Sequence, residues 1–538
     1  MTATQDGSGS TGAGSDGAAQ GADHGLAEFG YNQSLDRSIG KFASFAAGIS
    51  YISILTGTFQ LFYFGLGFGG PAYWWSWPMV FVGQLMIALC FAELAGRFPV
   101  AGSVYNWSKQ LASPAVSWLA GWMMFTASVV TLAAVALAYQ VTLPQIWSGF
   151  QLVGDGEGAS FGISAVIWGA ILISFTTVIN AFGVKLMTRI NSAGVFIELV
   201  AAVLLVVLLG VNIVNPPSVL FDTQNLGATH PAGYLGAFLV AALASAYVMY
   251  GFDTASSLGE ETVDPRRTAP SAILRAVIAS FVIGGLILMF GILAAPDLSN
   301  PKLGTPAGGL QLIVLQALGG GVGTVFLICI VVAVTVCALA VHTAAIRLMF
   351  AMARDNALPA GAALARIHPR YKTPMVPAIV IGVASVLILV VNIGTPEIFT
   401  AVTSVAVIMI YLAYLLVTAP LLVRRLRGRW PDPTAQSSGY FSMGRLGLPV
   451  NILAVLWGGG MALNLAWPRE AVYGSGALRW IAFIFIGAVS LIGLGWFFAK
   501  GRHQLGTLPE HMAEQIDQQL GEPTGAEPTT KPTAGEQA

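Results

Sequence analysis

The chain has 538 residues, 9% of them charged and 55% hydrophobic, with 25 basic against 25 acidic side chains and a mean hydropathy of +0.74. A soluble protein would carry about a quarter charged residues, so a set of water-soluble domains is excluded, and the even charge balance leaves nucleic acid no electrostatic footprint. No G-x-x-x-x-G-K-[ST] loop marks a nucleotide-driven pump, and Cys90, Cys329 and Cys337 lie in apolar stretches, where they read as buried thiols.

Residues 1–36 are Gly, Ser, Ala, Asp and Gln with almost no large apolar side chain. Such a segment buries too little surface to offset the entropy of ordering, so it is expected to be a disordered tail. A basic start and an apolar core are missing, so it does not read as a signal peptide. Residues 37–500 alternate apolar stretches with short polar connections, and residues 501–538, rich in Pro, Glu, Gln and Thr, return to a tail composition.

The apolar stretches predict an all-α integral membrane protein with twelve crossings, because about twenty apolar residues in helix span about 30 Å of hydrocarbon. Their centres fall near Thr56, Met86, Phe125, Ile171, Val203, Met249, Ile283, Val332, Val383, Ile408, Val455 and Phe485. An even number puts both termini on one side. Basic residues near span ends are held in the cytoplasm during insertion. With both termini cytoplasmic, 22 of the 25 Lys and Arg fall inside, and only Lys302, Arg469 and Arg479 fall outside. One missing or invented crossing in the middle would scramble that asymmetry.

Two stretches predict broken helices. Gly48-Ile49-Ser50-Tyr51-Ile52-Ser53-Ile54-Leu55-Thr56-Gly57-Thr58 and Tyr250-Gly251-Phe252-Asp253-Thr254-Ala255-Ser256-Ser257 gather residues of poor helix propensity near the bilayer centre, the second with a charge added. Non-helical backbone at that depth is tolerated only where protein or a water-filled cavity surrounds it. The alternative is that small residues merely let helices pack closely. Their matching places, in the first and sixth of ten helices that cross in opposite directions, point to an inverted-repeat carrier with its site at the midplane.

The same residues resemble the amino acid-polyamine-organocation superfamily, and within it the amino acid/choline transporter group, from about Phe42 to Trp496. The resemblance is carried by Phe91-Ala92-Glu93-Leu94-Ala95-Gly96-Arg97-Phe98-Pro99 running into Ala101-Gly102-Ser103-Val104-Tyr105-Asn106-Trp107. Tyr250-Gly251-Phe252-Asp253 running to Glu260-Glu261, and Ala353-Arg354-Asp355-Asn356-Ala357-Leu358-Pro359, add to it. Ile52-Ser53-Ile54-Leu55-Thr56-Gly57 stands where many relatives have a shorter Gly-Ser-Gly signature. The resemblance implies a leucine-transporter-type 5+5 inverted repeat, with repeat one at about 42–214, repeat two at about 234–424, and helices eleven and twelve, about 449–499, outside it. The cargo it implies is a small amino acid or related amine carried across the plasma membrane.

An unwound helix offers amide N–H groups to a carboxylate and carbonyls to an ammonium. The carboxylate is therefore expected at the N–H groups around Thr56, Gly57 and Thr58 with Ser53 beside them, and the ammonium at carbonyls near Ile49, Ser50, Met249 and Tyr250. Tyr51, Tyr247 and Phe252, next to Gly251, are candidate walls or gates. Asp253 is costly in a membrane and so a functional candidate; it either pairs with a substrate amine or caps the helix that Thr254 opens.

Glu198 and His342 are isolated ionisable residues in the fifth and eighth apolar stretches. In proton-coupled relatives a titratable residue of the fifth helix takes the place of a sodium ion between helices one, five and eight, and Glu198 matches that position with an acid where lysine is common. Glu198, with His342, is the expected proton-coupling site; the alternative for both is a structural hydrogen bond between helices. Sodium coupling through first-helix carbonyls and the Thr343 hydroxyl stays open, as does pure exchange. Glu93 and Arg97, spaced i,i+4 with the acid first, and Glu260 and Glu261, which Arg266, Arg267, Arg347, Arg354 and Asp355 can meet, are candidate inner-gate residues. No metal site or cofactor is expected.

Rival readings are a carrier of 4-aminobutyrate, choline or a polyamine, a channel, and a nutrient sensor without turnover. An enzyme would need a nucleophile and base or a cluster of metal ligands, and neither H-E-x-x-H nor a partner for His342 at helical spacing occurs.

Overall fold

The computed structural model describes residues 40–155, 158–391, 397–431 and 440–506. The N-terminal tail expected at 1–36 and residues 507–538 of the C-terminal one lie outside the described residues. Residues 501–506, assigned to the tail by composition, instead continue the last helix through a π turn, Phe497–Gly501, and a short helix, Arg502–Gln504.

The secondary structure assigned to the described residues is helical. Every expected centre lies in a helix except Met249, which terminates one. Among the described residues, ten helices are long and apolar enough to cross a membrane. Of the other two regions, Met375–Val391 is a shorter apolar helix, and Gly233–Val248 forms a bent pair with the segment before it. Ile171, Val203, Val383, Leu453 and Leu491 are large apolar residues left exposed on the outside of the bundle. In water such a surface would aggregate; against lipid it is matched. Helix Ile481–Trp496 buries only Ala482 and Gly493, as expected of a helix outside the core.

The centre is built from broken helices. The first runs as Lys41–Ile52 and Ile54–Gly69, and the sixth as Gly233–Val248 and Thr254–Ser257. Ile54–Gly69 packs on Gly233–Val248, and Lys41–Ile52 packs on Thr254–Ser257, Pro265–Leu293 and the fifth helix, Val184–Val211. The eighth, Gly309–Arg354, touches both halves of the first and also the fifth. This pairing of opposed half-helices fits the crossed relation expected of two inverted repeats. The eighth is itself kinked at Gly319, whose φ of 77° is left-handed.

Glycine makes the close pairing work. A Cβ on Gly57 would lie 2.7 Å from Val248 Cγ2, and one on Gly48 would lie 3.3 Å from Ala255 Cβ. Gly57 is therefore a packing residue between Ile54–Gly69 and Gly233–Val248.

Candidate substrate and coupling site

The first helix breaks at a single residue. Ser53 has φ 41° and ψ 92°, a conformation costly for a residue with a Cβ, and so held in place by its surroundings. Its N–H still reaches the Ile49 carbonyl at 2.8 Å, closing Lys41–Ile52, and its carbonyl accepts the Gly57 N–H at 3.0 Å, opening Ile54–Gly69. Thr56, Gly57 and Thr58 are thus already helical, and the free donors of the break lie upstream. That displaces the expected carboxylate cradle toward Ile54 and Leu55.

Those donors are met from within the protein. Glu198 Oε1 accepts the Leu55 N–H at 3.2 Å and lies 2.9 Å from Ser53 Oγ. Ser53 Oγ is also 2.6 Å from Thr56 Oγ1, and its one proton can serve only one partner at a time. A helix N-terminus favours negative charge, and here the chain supplies it. Glu198 is 1% exposed, and its Oε2 has no hydrogen-bond partner among the described residues. Cys337 of the eighth helix completes the contact between helices one, five and eight, its Sγ 3.5 Å from the Tyr51 carbonyl.

The sixth helix breaks over a longer stretch, from Met249 to Asp253. Gly251 has φ 86°, and a Cβ there would lie 1.9 Å from Tyr51 Cδ1, so only glycine fits. Its N–H donates to the Tyr414 hydroxyl at 2.9 Å, and that hydroxyl donates to Asp253 Oδ1 at 2.6 Å. Ser103 Oγ donates to Asp253 Oδ2 at 2.8 Å. The Asp253 side chain makes no capping bond to the helix it opens. The capping alternative is therefore corrected: the carboxylate is held instead by two hydroxyls, which reach it from the short helix Ser103–Leu111 and from the tenth helix, Glu397–Leu426.

Aromatic rings pack beside both breaks. Tyr51 and Tyr250 meet edge-on at 6.2 Å, Tyr247 and Tyr250 at 5.9 Å, and Phe252 contacts Phe91 and Tyr414. The Tyr247 hydroxyl donates to Gln60 Oε1 at 3.0 Å. The hydroxyls of Tyr51 and Thr131 are buried and unpartnered among the described residues. The Ser50 hydroxyl is used within its own helix, on the Ala47 carbonyl. Met249 and Tyr250 are buried at the break, Tyr250 3% exposed.

One end of the bundle is tied by buried ion pairs. Arg347 forks onto Glu261, with Nε at 2.9 Å and Nη2 at 3.2 Å, and Arg354 forks onto Glu260 at 2.9 and 3.1 Å. Glu260 also accepts the Ala101 N–H at 3.0 Å. Lys109 reaches Asp355 at 2.5 Å, joined by the Tyr105 hydroxyl. Glu93 does not pair with Arg97 as its spacing suggests; it bonds Arg425, and also Trp430 Nε1 and Ser442 Oγ. Arg97 instead stacks over the Trp430 ring at 4.8 Å. The tenth helix brings a second guanidinium to the buried carboxylate, so the local i,i+4 contact is not the one formed.

His342 and Thr343 are placed elsewhere. His342 Nδ1 is 3.0 Å from Thr176 Oγ1 and its Nε2 3.0 Å from the Ala378 carbonyl, so both nitrogens serve contacts to the fourth helix, Gly158–Ala181, and the ninth, Met375–Val391. The Thr343 hydroxyl donates toward Asn180 Oδ1 at 2.8 Å and the Leu339 carbonyl at 2.7 Å, facing the fourth helix and not the break. No group of three or more His, Cys, Asp or Glu able to hold a metal occurs among the described residues.

Tyr414, Ser103, Gln60 and Cys337 are the site residues that sequence reasoning missed. Ser103 lay inside the quoted Ala101–Trp107 motif, but nothing local ties a tenth-helix tyrosine to Asp253, a residue 161 positions away.

A membrane bundle whose first and sixth helices are interrupted beside buried acids is the architecture of a carrier protein. The chain belongs to the amino acid permease family, whose model matches residues 39–495. It is 28% identical to an amino-acid permease BAT1 homolog of Oryza sativa subsp. japonica, over 89% of this chain and 94% of that one. It is 29% identical to a methylthioribose transporter of Bacillus subtilis, covering 70% and 82%, and 26% identical to the low-affinity putrescine importer PlaP of Escherichia coli, covering 58% and 66%.

Proposed function

We propose that the chain is a secondary active transporter that imports a small amino acid or related amine by alternating access, with a proton as the coupling ion and Glu198 as its binding group. On this reading it resides in the plasma membrane with twelve crossings and both termini cytoplasmic. The observation that carries the reading is the buried Glu198 carboxylate bonded to Ser53 and Leu55 across the interruption of the first helix. Charged, it satisfies the amide of the outer half-helix; protonated, it becomes a weaker acceptor and frees that amide. The hydrogen bonds at the interruption therefore differ between the two protonation states, which is what coupling requires.

The solute is expected beside Tyr51, Tyr247, Tyr250 and Phe252, with its amine toward the inner-half carbonyls near Ile49, Ser50, Met249 and Tyr250, and toward Asp253. A carboxylate on the solute would use the amides from Ile54 to Thr56 once Glu198 withdraws. Glu260–Arg354, Glu261–Arg347 and Glu93–Arg425 form the inner closure, which must part for release. The named cargoes of the relatives, amino acids, methylthioribose and putrescine, share small size and not a carboxylate. Thr343 faces away from the interruption, which removes one oxygen ligand from a sodium site there.

The test begins with a thermal-shift screen of the purified protein against amino acids, amines and quaternary ammonium compounds. Vesicles preloaded with the unlabelled hit should then take up labelled solute faster than empty ones. Absence of that acceleration, with binding intact, would remove turnover and leave a channel or sensor.

A further inference from the structure

We propose that the chain binds an anionic phospholipid in a cleft between the start of the third helix, Pro114–Ala136, and the end of the tenth, Glu397–Leu426. The cleft is about 890 Å³. Val116, Leu416 and Ala419 supply apolar wall, while Arg424, Arg427 and Arg429 rim one end. No acidic residue lines it. Arg427 and Arg429 are exposed and form no ion pair among the described residues. Arg424 is fixed on the rim, its Nε donating to the Leu111 carbonyl at 3.0 Å.

The cleft has a local origin. Pro420 lies inside helix Glu397–Leu426, where it can offer no N–H to the Leu416 carbonyl four residues back. That carbonyl instead accepts the Ser108 hydroxyl at 3.1 Å. Opposite, helix Pro114–Ala136 begins with no side-chain cap, so its first-turn amides present the positive end of a 23-residue helix to the same space.

Cationic rim and apolar wall together specify the occupant. A free anion would use only the arginines, and a neutral lipid only the wall. A phospholipid with net negative charge uses both, with its phosphate at the guanidiniums and an acyl chain along the wall. Val423 and Leu426, 43% and 65% exposed on the same helix end, place the cleft's mouth on apolar, lipid-type surface. Basic pockets between membrane helices bind anionic headgroups by this combination. The assignment to the cytoplasmic leaflet rests on the orientation proposed above; binding itself does not.

Full-length protein in nanodiscs of phosphatidylcholine with a small fraction of phosphatidylglycerol tests the inference, with retained lipid read by native mass spectrometry. Wild type should be enriched in phosphatidylglycerol. R427A/R429A should bind it about thirtyfold more weakly, at roughly fivefold per guanidinium, with an unchanged melting temperature in pure phosphatidylcholine. V116W keeps every charge but fills the wall, and should also lose enrichment. Equal retention of the two lipids by wild type, unchanged enrichment in both variants, or full competition by soluble sn-glycerol 3-phosphate would each overturn it. Leaflet preference is read separately, by labelling exposed cysteines introduced beside the cleft from either side, so a wrong orientation and absent lipid binding give different results.

Discussion

Replacing Glu198 by Gln separates the chemistry of the first-helix interruption from its packing. Gln keeps an acceptor oxygen for Leu55 N–H and Ser53 Oγ, at 3.2 and 2.9 Å, but cannot load a proton. Hydrogen bonds to a charged group contribute about 1.5–3 kcal/mol and neutral ones about 0.5–1.5 kcal/mol, so Gln weakens the contact without removing it. Burying a neutral amide also costs less than burying a carboxylate, and the two effects oppose. The expected loss of stability is about 1 kcal/mol or less. E198A is different: Ser53 keeps Thr56 at 2.6 Å, but the Leu55 amide is stranded, at a cost of about 1–3 kcal/mol. E198A therefore reports on folding and E198Q on coupling. In proteoliposomes with the membrane potential clamped, one pH unit is worth about 1.4 kcal/mol, so a carrier moving one proton per solute concentrates it about tenfold. E198Q should bring solute only to equal concentration on both sides while still catalysing counterflow. Accumulation by E198Q at the wild-type level would refute the assignment of Glu198.

The other expectations concern the scaffold around it. R354A leaves Glu260 buried without its fork, which should destabilise the fold by about 3–5 kcal/mol, whereas E260Q/R354M should recover most of that in thermal unfolding; equal losses would mean that the pair is not the source. G251A must displace the Tyr51 ring from a site 1.9 Å away and hold φ 86°, so it should abolish uptake, and wild-type uptake by this variant would show that the sixth-helix interruption is not fixed. H342N should lower the melting temperature without altering pH-driven accumulation, because both imidazole nitrogens serve contacts to neighbouring helices.

Both interruptions were legible because clustered Gly, Ser and Thr weaken helix in segments otherwise apolar. Their exact position was not. Gly57 looked like part of the break, yet its missing Cβ accommodates Val248, and a glycine signals close packing and unwinding in the same way. The break fell instead on Ser53, where contacts from Glu198, 145 residues away, support a left-handed serine. Charges at the ion-paired end of the bundle were similarly visible as a group but not as pairs. Glu260 and Glu261 found Arg354 and Arg347 as anticipated, while Glu93 passed over Arg97 for Arg425. Spacing on one helix cannot show that another helix delivers a second guanidinium. Asp253 was recognisable as costly, but its partners, Ser103 and Tyr414, are set only by tertiary packing.

The electrostatics of the two interruptions lead to a final expectation about the solute. Each outer or inner half-helix that begins at a break has an acid of the chain beside it, Glu198 at Ile54–Gly69 and Asp253 at Thr254–Ser257. Neither acid forms an ion pair among the described residues, whereas Glu93, Glu260, Glu261 and Asp355 all do. Asp253 is held by two hydroxyls and by no cation among the described residues, so its carboxylate is the group available to a cationic solute, while Glu198 is the group proposed to carry the proton. An amine should be obligatory for recognition and a carboxylate dispensable. In the thermal-shift screen, putrescine or a decarboxylated amino acid should protect at least as well as the parent amino acid, and a carboxylic acid lacking the amine should not protect. D253N should selectively erase protection by the amines without a carboxylate, since they depend on that charge alone. If the deaminated acid protects and the amine does not, the site is read with the wrong sign, and Asp253 is not the partner of the amine.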